Sequence, residues 1–170
     1  MTSLHTLIVT VEDRPGVLNR VASLFRRRGY NIESLTVGHS ARPGVSRITL
    51  VVRADEDTAR RIEANVYKLV NVLYVEDITG EPAVAREMAL IKVRAEAPRR
   101  AELLQLCDVF RARVLDVSPA SLVLEITGTQ DKIDGLLEVL APYGVLEMVR
   151  TGALAMTRGT AEAKPEDIAA

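Results

Sequence analysis

The chain has 170 residues, enough for one ordinary domain or two small ones, and a hydrophobic share of 48% excludes a disordered chain. Aromatics are only 4% with no Trp, so the core falls to Val, Leu, Ile and Ala. A formal net charge of −1 gives nucleic-acid binding no support, and a single cysteine excludes an internal disulfide and fits a reducing, cytoplasmic setting.

The opening residues carry no basic start leading into a long apolar run, so no signal peptide is expected. No stretch approaches ~18 uninterrupted apolar residues, so no membrane span is expected either. In "HTLIVTVE" Leu7, Val9 and Val11 alternate with Thr6, Ile8 and Thr10, the period of a strand. "DRPG" follows, and then Val17, Val21 and Leu24, with Leu18, Ala22 and Phe25, recur at helical spacing. Pro15 and Gly16 are read as the opening of that helix and Asp13 as its side-chain cap. "RRRG" closes it: cations suit the negative end and Gly29 the left-handed cap. Strands are predicted at 31–40 and 45–54, joined by "ARPG". Asp55 is the expected cap of a helix whose buried stripe is Ala59, Ile62, Val66 and Leu69, and "VNVLYVEDI" is a fourth strand.

The order β-α-β-β-α-β predicts a ferredoxin-like antiparallel sheet with two helices on one face. After the junction "TGEPAVARE" the order repeats. "EMALIKVRA" is a strand, 99–110 a helix with Leu103, Leu106, Cys107 and Phe110 on one side, and "RVLDVS" and "SLVLEITG" a hairpin. Residues 130–140 form a helix capped by Thr129 and burying Ile133, Leu136, Leu137 and Leu140, and "GVLEMVRTG" is the last strand. The fold class is therefore α+β, two tandem ferredoxin-like units. The division is 1–80 and 81–159, with 160–170 as a loose tail lacking a hydrophobic pattern.

No glycine-rich phosphate loop is present, and His5 and His39 lack metal-ligand spacings. Both histidines are expected at the surface, His5 at a strand start and His39 near a loop, and Cys107 reads as a core thiol. No catalytic residue and no metal ligand is assigned. RNA binding on such a sheet needs aromatics on the central strands, "HTLIVTV" and "SRITLVV", which have none.

What remains is a binding module. At the Asp13–Gly16 turn a missing side chain leaves room beside helix N–H groups, which favour a carboxylate; the plain alternative is a well-made helix start. In "YNIESLTVG" Leu35 and Val37 share one parity and Ile32 the other, which suggests a bulge and lets Asn31 and Ile32 face away from their own core.

Asp-x-Pro-Gly-x-Leu at Asp13, Pro15, Gly16 and Leu18 resembles the amino-acid-binding ACT domain. The runs "VASLFRRRGYNIESLTVG", "SRITLVV", "KLVNVLYVED", "REMALIKVRA" and "VLEMVRTGALAMTRG" extend the resemblance from Leu4 to Gly159, to the small regulatory subunits of acetolactate synthase (acetohydroxyacid synthase). The resemblance implies a partner, the large catalytic subunit, which carries thiamine diphosphate, Mg²⁺ and FAD and opens branched-chain amino acid synthesis. It implies no cofactor and no active site in this chain, which would activate the partner and confer feedback inhibition by valine or another branched-chain amino acid. It also implies a homodimer whose ACT domains share the effector. Asp13, Gly16, Val17 and Leu18 would line the site from one subunit, Asn31 and Ile32 from the other. Relatives commonly carry Asn where Asp13 stands, so Asp13 either receives the ammonium or holds the turn. The hairpin 118–121 and the final strand are the expected contact with the large subunit. A free-standing ACT-type sensor acting on another target is the alternative.

Overall fold

The period-two runs and helical stripes become thirteen elements in the computed structural model, which describes residues 2–159. They are β1 (Ser3–Glu12), α1 (Val17–Arg28), β2 (Ile32–His39), β3 (Val45–Ala54), α2 (Glu56–Tyr67) and β4 (Val72–Asp77). Then come β5 (Ala83–Arg94), α3 (Arg100–Phe110), β6 (Arg113–Val117), β7 (Ser121–Gly128), α4 (Gln130–Leu140), β8 (Val145–Arg150) and β9 (Leu154–Thr157). The expected tail, 160–170, lies outside the described residues.

Both sheets have the ferredoxin-like order, β2-β3-β1-β4 and β6-β7-β5-β8, and their neighbours run antiparallel. In the first, Leu7, Val9 and Val11 of β1 and Ile48, Leu50 and Val52 of β3 meet Val17, Val21, Leu24 and Phe25 of α1 and Ile62 and Val66 of α2. Each such side chain contributes roughly 1.5–3 kcal/mol on burial, which is why the stripes set the fold. In the second, Ala89, Ile91 and Val93 of β5 and Leu122, Leu124 and Ile126 of β7 meet Leu103, Cys107, Ile133, Leu136 and Leu140. Burial pushes the Cys107 thiol up, as a core thiol requires.

Helix ends follow local chemistry. Gly29 takes φ 67° after Arg26–Arg28, and Tyr30 N–H donates to Phe25 O at 3.0 Å. Asp55 caps α2, accepting from Thr58 N–H at 2.7 Å, and that bond lowers its pKa. Thr129 makes no side-chain cap bond to α4, contrary to expectation; it serves through its carbonyl, which accepts from Ile133 N–H at 3.2 Å. The helix expected from Arg99 starts at Arg100, because 97–99 form a 3₁₀ turn that holds Pro98.

His5 is not a surface residue. β1 begins two residues earlier than expected and pairs His5 with Val52, so its ring is inside the sheet, 6% exposed. Its nitrogens are satisfied by Asp77 Oδ2 at 2.9 Å and Ser3 Oγ at 3.1 Å.

The chain divides into two units, and the division is not the simple cut after residue 80. One unit holds the described residues up to Val84 and again from Ala153; the other is Ala85–Gly152. β9, unforeseen in the sequence, explains the return. Arg158 N–H donates to Pro82 O at 2.7 Å, and Ala155 packs with Ile8, Ile78 and Ala83. Arg47 donates to Ala155 O at 3.1 Å, and Ala153 N–H donates to Ser34 Oγ at 3.0 Å.

Candidate functional site

β1 ends at Glu12, and the chain must turn before α1. Val17 N–H approaches Arg14 O at 3.4 Å, with Gly16 at φ 86°, ψ −7°. That is the third position of a type II turn, where glycine is required, and Pro15 stands where such turns favour proline. Neither residue is helical. Gly16 is the N-cap in left-handed conformation, and no side chain caps α1. Asp13 is thus not the cap it was expected to be. Glycine suits this position because its left-handed backbone angle disfavours other residues.

The first intrahelical bond runs from Arg20 N–H to Gly16 O at 3.0 Å, so the N–H groups of Leu18 and Asn19 have no acceptor within the helix. The first turn of α1 has no acidic residue, whereas α2 has Glu56 and Asp57 in addition to its Asp55 cap. The partial positive charge of α1 is therefore left open to an outside anion. A Cβ at Gly16 would meet nothing within 4 Å, so the space beside that residue is clear. Val17 is buried in the core, while Leu18 turns outward, 43% exposed.

Asp13 N–H is held by Gly44 O at 2.8 Å, so the β2–β3 loop buttresses the turn. Its carboxylate lies 3.4 Å from His39 Nδ1. His39 pairs with Ser46, which on its other side pairs with Val11, and this shared register brings the end of β2 beside the turn. His39, expected exposed near a loop at the end of the 31–40 strand, is exposed, and the hairpin register counted back from Gly44 places it here.

Asn31 and Ile32 are elsewhere in the chain. The expected change of face occurs, with the β2–β3 register shifting between Ile32 and Ser34. Ile32 nonetheless does not look away from its core: it is half-buried against the first cluster, while Asn31 is exposed. Ile32 pairs with Val52, and Val45 pairs with Glu12 at the turn. The seven steps from Val45 to Val52 span about 23 Å of strand. Asp13, Gly16, Val17 and Leu18 therefore share one end of the sheet, and Asn31 and Ile32 the other. No single small ligand touches both sets within one chain. β2 is an edge strand of its sheet, as is β4, and Val37 on β2 is 44% exposed.

Among the described residues, no group of three or more His, Cys, Asp or Glu is placed to hold a metal, and no helix is long and apolar enough to cross a membrane.

Two family models match: the AHAS small subunit-like ACT domain over residues 7–74, and the small subunit of acetolactate synthase over residues 86–159. The chain is 46% identical to a probable acetolactate synthase small subunit of Archaeoglobus fulgidus over 155 residues, 91% of this chain and 97% of that relative. It is 50% identical to the acetolactate synthase small subunit of Mycobacterium leprae over 155 residues, 91% of this chain and 92% of that relative. The crystal structure of the acetolactate synthase small subunit of Thermotoga maritima superposes with a TM-score of 0.86 at 42% identity, covering 94% of this chain and 99% of that one.

Proposed function

Since the chain belongs to the acetolactate synthase small-subunit family, whose name implies a large catalytic subunit, we propose that it activates that subunit and carries its feedback inhibition by valine. The observation that carries the effector half of this reading is the start of α1. Uncapped N–H groups, no acid in the first turn and clear space at Gly16 suit an amino acid's carboxylate. Asp13, 3.4 Å from His39, is the group that would receive the ammonium.

Completion of the site needs a second copy. β2 is an edge strand, and two such edges meeting antiparallel about a two-fold axis lay the Ile32 end of one beside the His39 end of the other. The Asn31–Ile32 half of the site then reaches the Asp13 turn of its neighbour, with the half-exposed Val37 covered in the seam. Asn31 would hydrogen-bond across the interface and Ile32 would border the ligand's isopropyl group. Thiamine diphosphate, Mg²⁺ and FAD chemistry belongs to the large subunit in this reading.

The energies are of the right order. Millimolar to sub-millimolar binding takes about 4–6 kcal/mol, and hydrogen bonds to a charged carboxylate contribute about 1.5–3 kcal/mol each before ordering costs. Inhibition then needs a coupling of about 1–3 kcal/mol between this site and the catalytic partner. The test is reconstitution with the cognate large subunit. Acetolactate formation should rise on adding this chain and fall on adding valine. An unchanged rate sinks the activating role, and a valine-insensitive rate sinks the inhibitory one.

A further inference from the structure

Asn71, in the loop between α2 and β4, has φ 73°, one of two non-glycine residues among those described with positive φ. Asparagine tolerates that conformation better than most residues, but glycine would do so at less cost, so its side chain merits a reason. The structure supplies one. Asn71 O accepts from Glu12 N–H at 2.9 Å, and Asn71 Nδ2 donates to Glu12 Oε2 at 2.6 Å. On its other side Asn71 Oδ1 accepts from the Arg20 guanidinium. Glu12 is the last residue of β1, and Arg20 is the residue whose N–H closes the first turn of α1 onto Gly16 O. One amide thus ties together the two ends of the Asp13–Val17 turn. Glu12 is steadied further by Arg14 Nε at 2.8 Å. The amide is used in both senses, acceptor toward a cation and donor toward a carboxylate, and the flipped orientation would set like against like.

We infer that Asn71 is a positioning residue for the effector site: it touches no ligand, but fixes the angle at which the N–H groups of Leu18 and Asn19 leave the turn. The inference rests on the effector reading of that turn. It also gives the α2–β4 loop a part in inhibition, since a shift of that loop moves both ends of the turn together.

The experiment is calorimetry with valine, leucine and isoleucine on the full chain, alongside thermal unfolding and activation of the large subunit. Asn71→Gly keeps the backbone conformation and removes both side-chain bonds. It should weaken the best ligand roughly two- to thirty-fold, the range for residues that act on a site without touching its ligand, while activation is retained. Asn71→Asp alone, which faces Glu12 with a second carboxylate, should weaken it at least as much. Adding Glu12→Gln to Asn71→Asp restores a donor–acceptor pair with its polarity reversed, and should return affinity to within about two-fold of wild type. A merely structural role would lower the unfolding midpoint and leave the affinity of the folded variants unchanged. Tight binding by wild type with equal binding by Asn71→Gly overturns the inference and leaves the effector reading intact. If wild type takes up none of the three amino acids, both fall together. Should Asn71→Gly fail to fold, the swap decides: affinity lost in Asn71→Asp and not regained in the pair overturns the inference.

Discussion

Gly16→Asp should abolish the effector response while leaving the protein folded. The left-handed angle at Gly16 costs an L-residue about 1–2 kcal/mol, less for Asp, which visits that region more readily. No steric term is added, because a side chain's first carbon there meets nothing within 4 Å. A carboxylate beside the open N–H groups of α1 returns about 0.3–1 kcal/mol, so the net loss of stability stays near 1 kcal/mol. Against ligand the effect is larger. Two carboxylates about 5 Å apart repel by about 0.8 kcal/mol in water and by about 3 kcal/mol at an effective dielectric of about 20. That is roughly a four-fold to a few-hundred-fold loss of affinity, before the new side chain's bulk and its competition for the N–H groups are counted. Gly16→Asn, equal in size and uncharged, should lose much less. Calorimetric titration with valine of both variants, beside their unfolding midpoints, is the assay. A folded Gly16→Asp that binds valine like wild type refutes the placing of the carboxylate; equal losses in Asp and Asn refute the electrostatic part.

Cys107→Ser puts a hydroxyl where the thiol is 2% exposed among Leu103, Ile133 and their neighbours, and should destabilise by about 1–3 kcal/mol in denaturant titration. In the native wild type the same thiol should resist thiol-specific reagents until the fold opens. Burial, followed by the charges of Asp77 and Glu76, pushes the Glu63 carboxyl up. The folded chain then keeps a proton that the unfolded chain has released, so ionisation of Glu63 weakens the fold as pH rises. Glu63→Gln should raise the unfolding midpoint at pH 7, and the advantage should disappear once pH falls below the ordinary glutamate range near about 4.3.

Elements whose inward residues are large and outward residues polar were legible directly: Leu7, Val9 and Val11 announce β1, and Asp55 announces α2. β9 was not, because its buried residue is Ala155 and its outward ones are Leu154 and Met156, the reverse of the usual code. His5 was missed because a polar residue at a strand start reads as exposed; its partners, Ser3 and Asp77, become neighbours only through pairing, and Asp77 is 72 residues away. At the site, Pro15 and Gly16 carried a plain type II turn signal that the neighbouring helical stripe obscured. The openness at Gly16 is legible from the missing side chain at a helix start, and a Cβ there meets nothing within 4 Å. The separation of Asn31 from Asp13 needed the β3 register, which no single stretch of sequence contains.

The return of the chain at Ala153 changes what counts as a module. Residues 85–152 are an insertion within the first unit, and they enter and leave it side by side, Thr151 N–H donating to Met88 O at 3.0 Å. Closing a flexible loop over residues 85–152, 68 residues, costs about 4 kcal/mol of chain entropy, most of which is removed once the insertion has folded and brought its own ends together. Folding order follows from that arithmetic. The face shared by Ile8 and Ile78 is complete only once Ala155, which follows the insertion, is in place. A fragment ending at Val84 would yield an ACT sheet whose Ile8–Ile78 face lacks Ala155, so truncation or recombination at that point carries a cost that the domain count alone does not reveal.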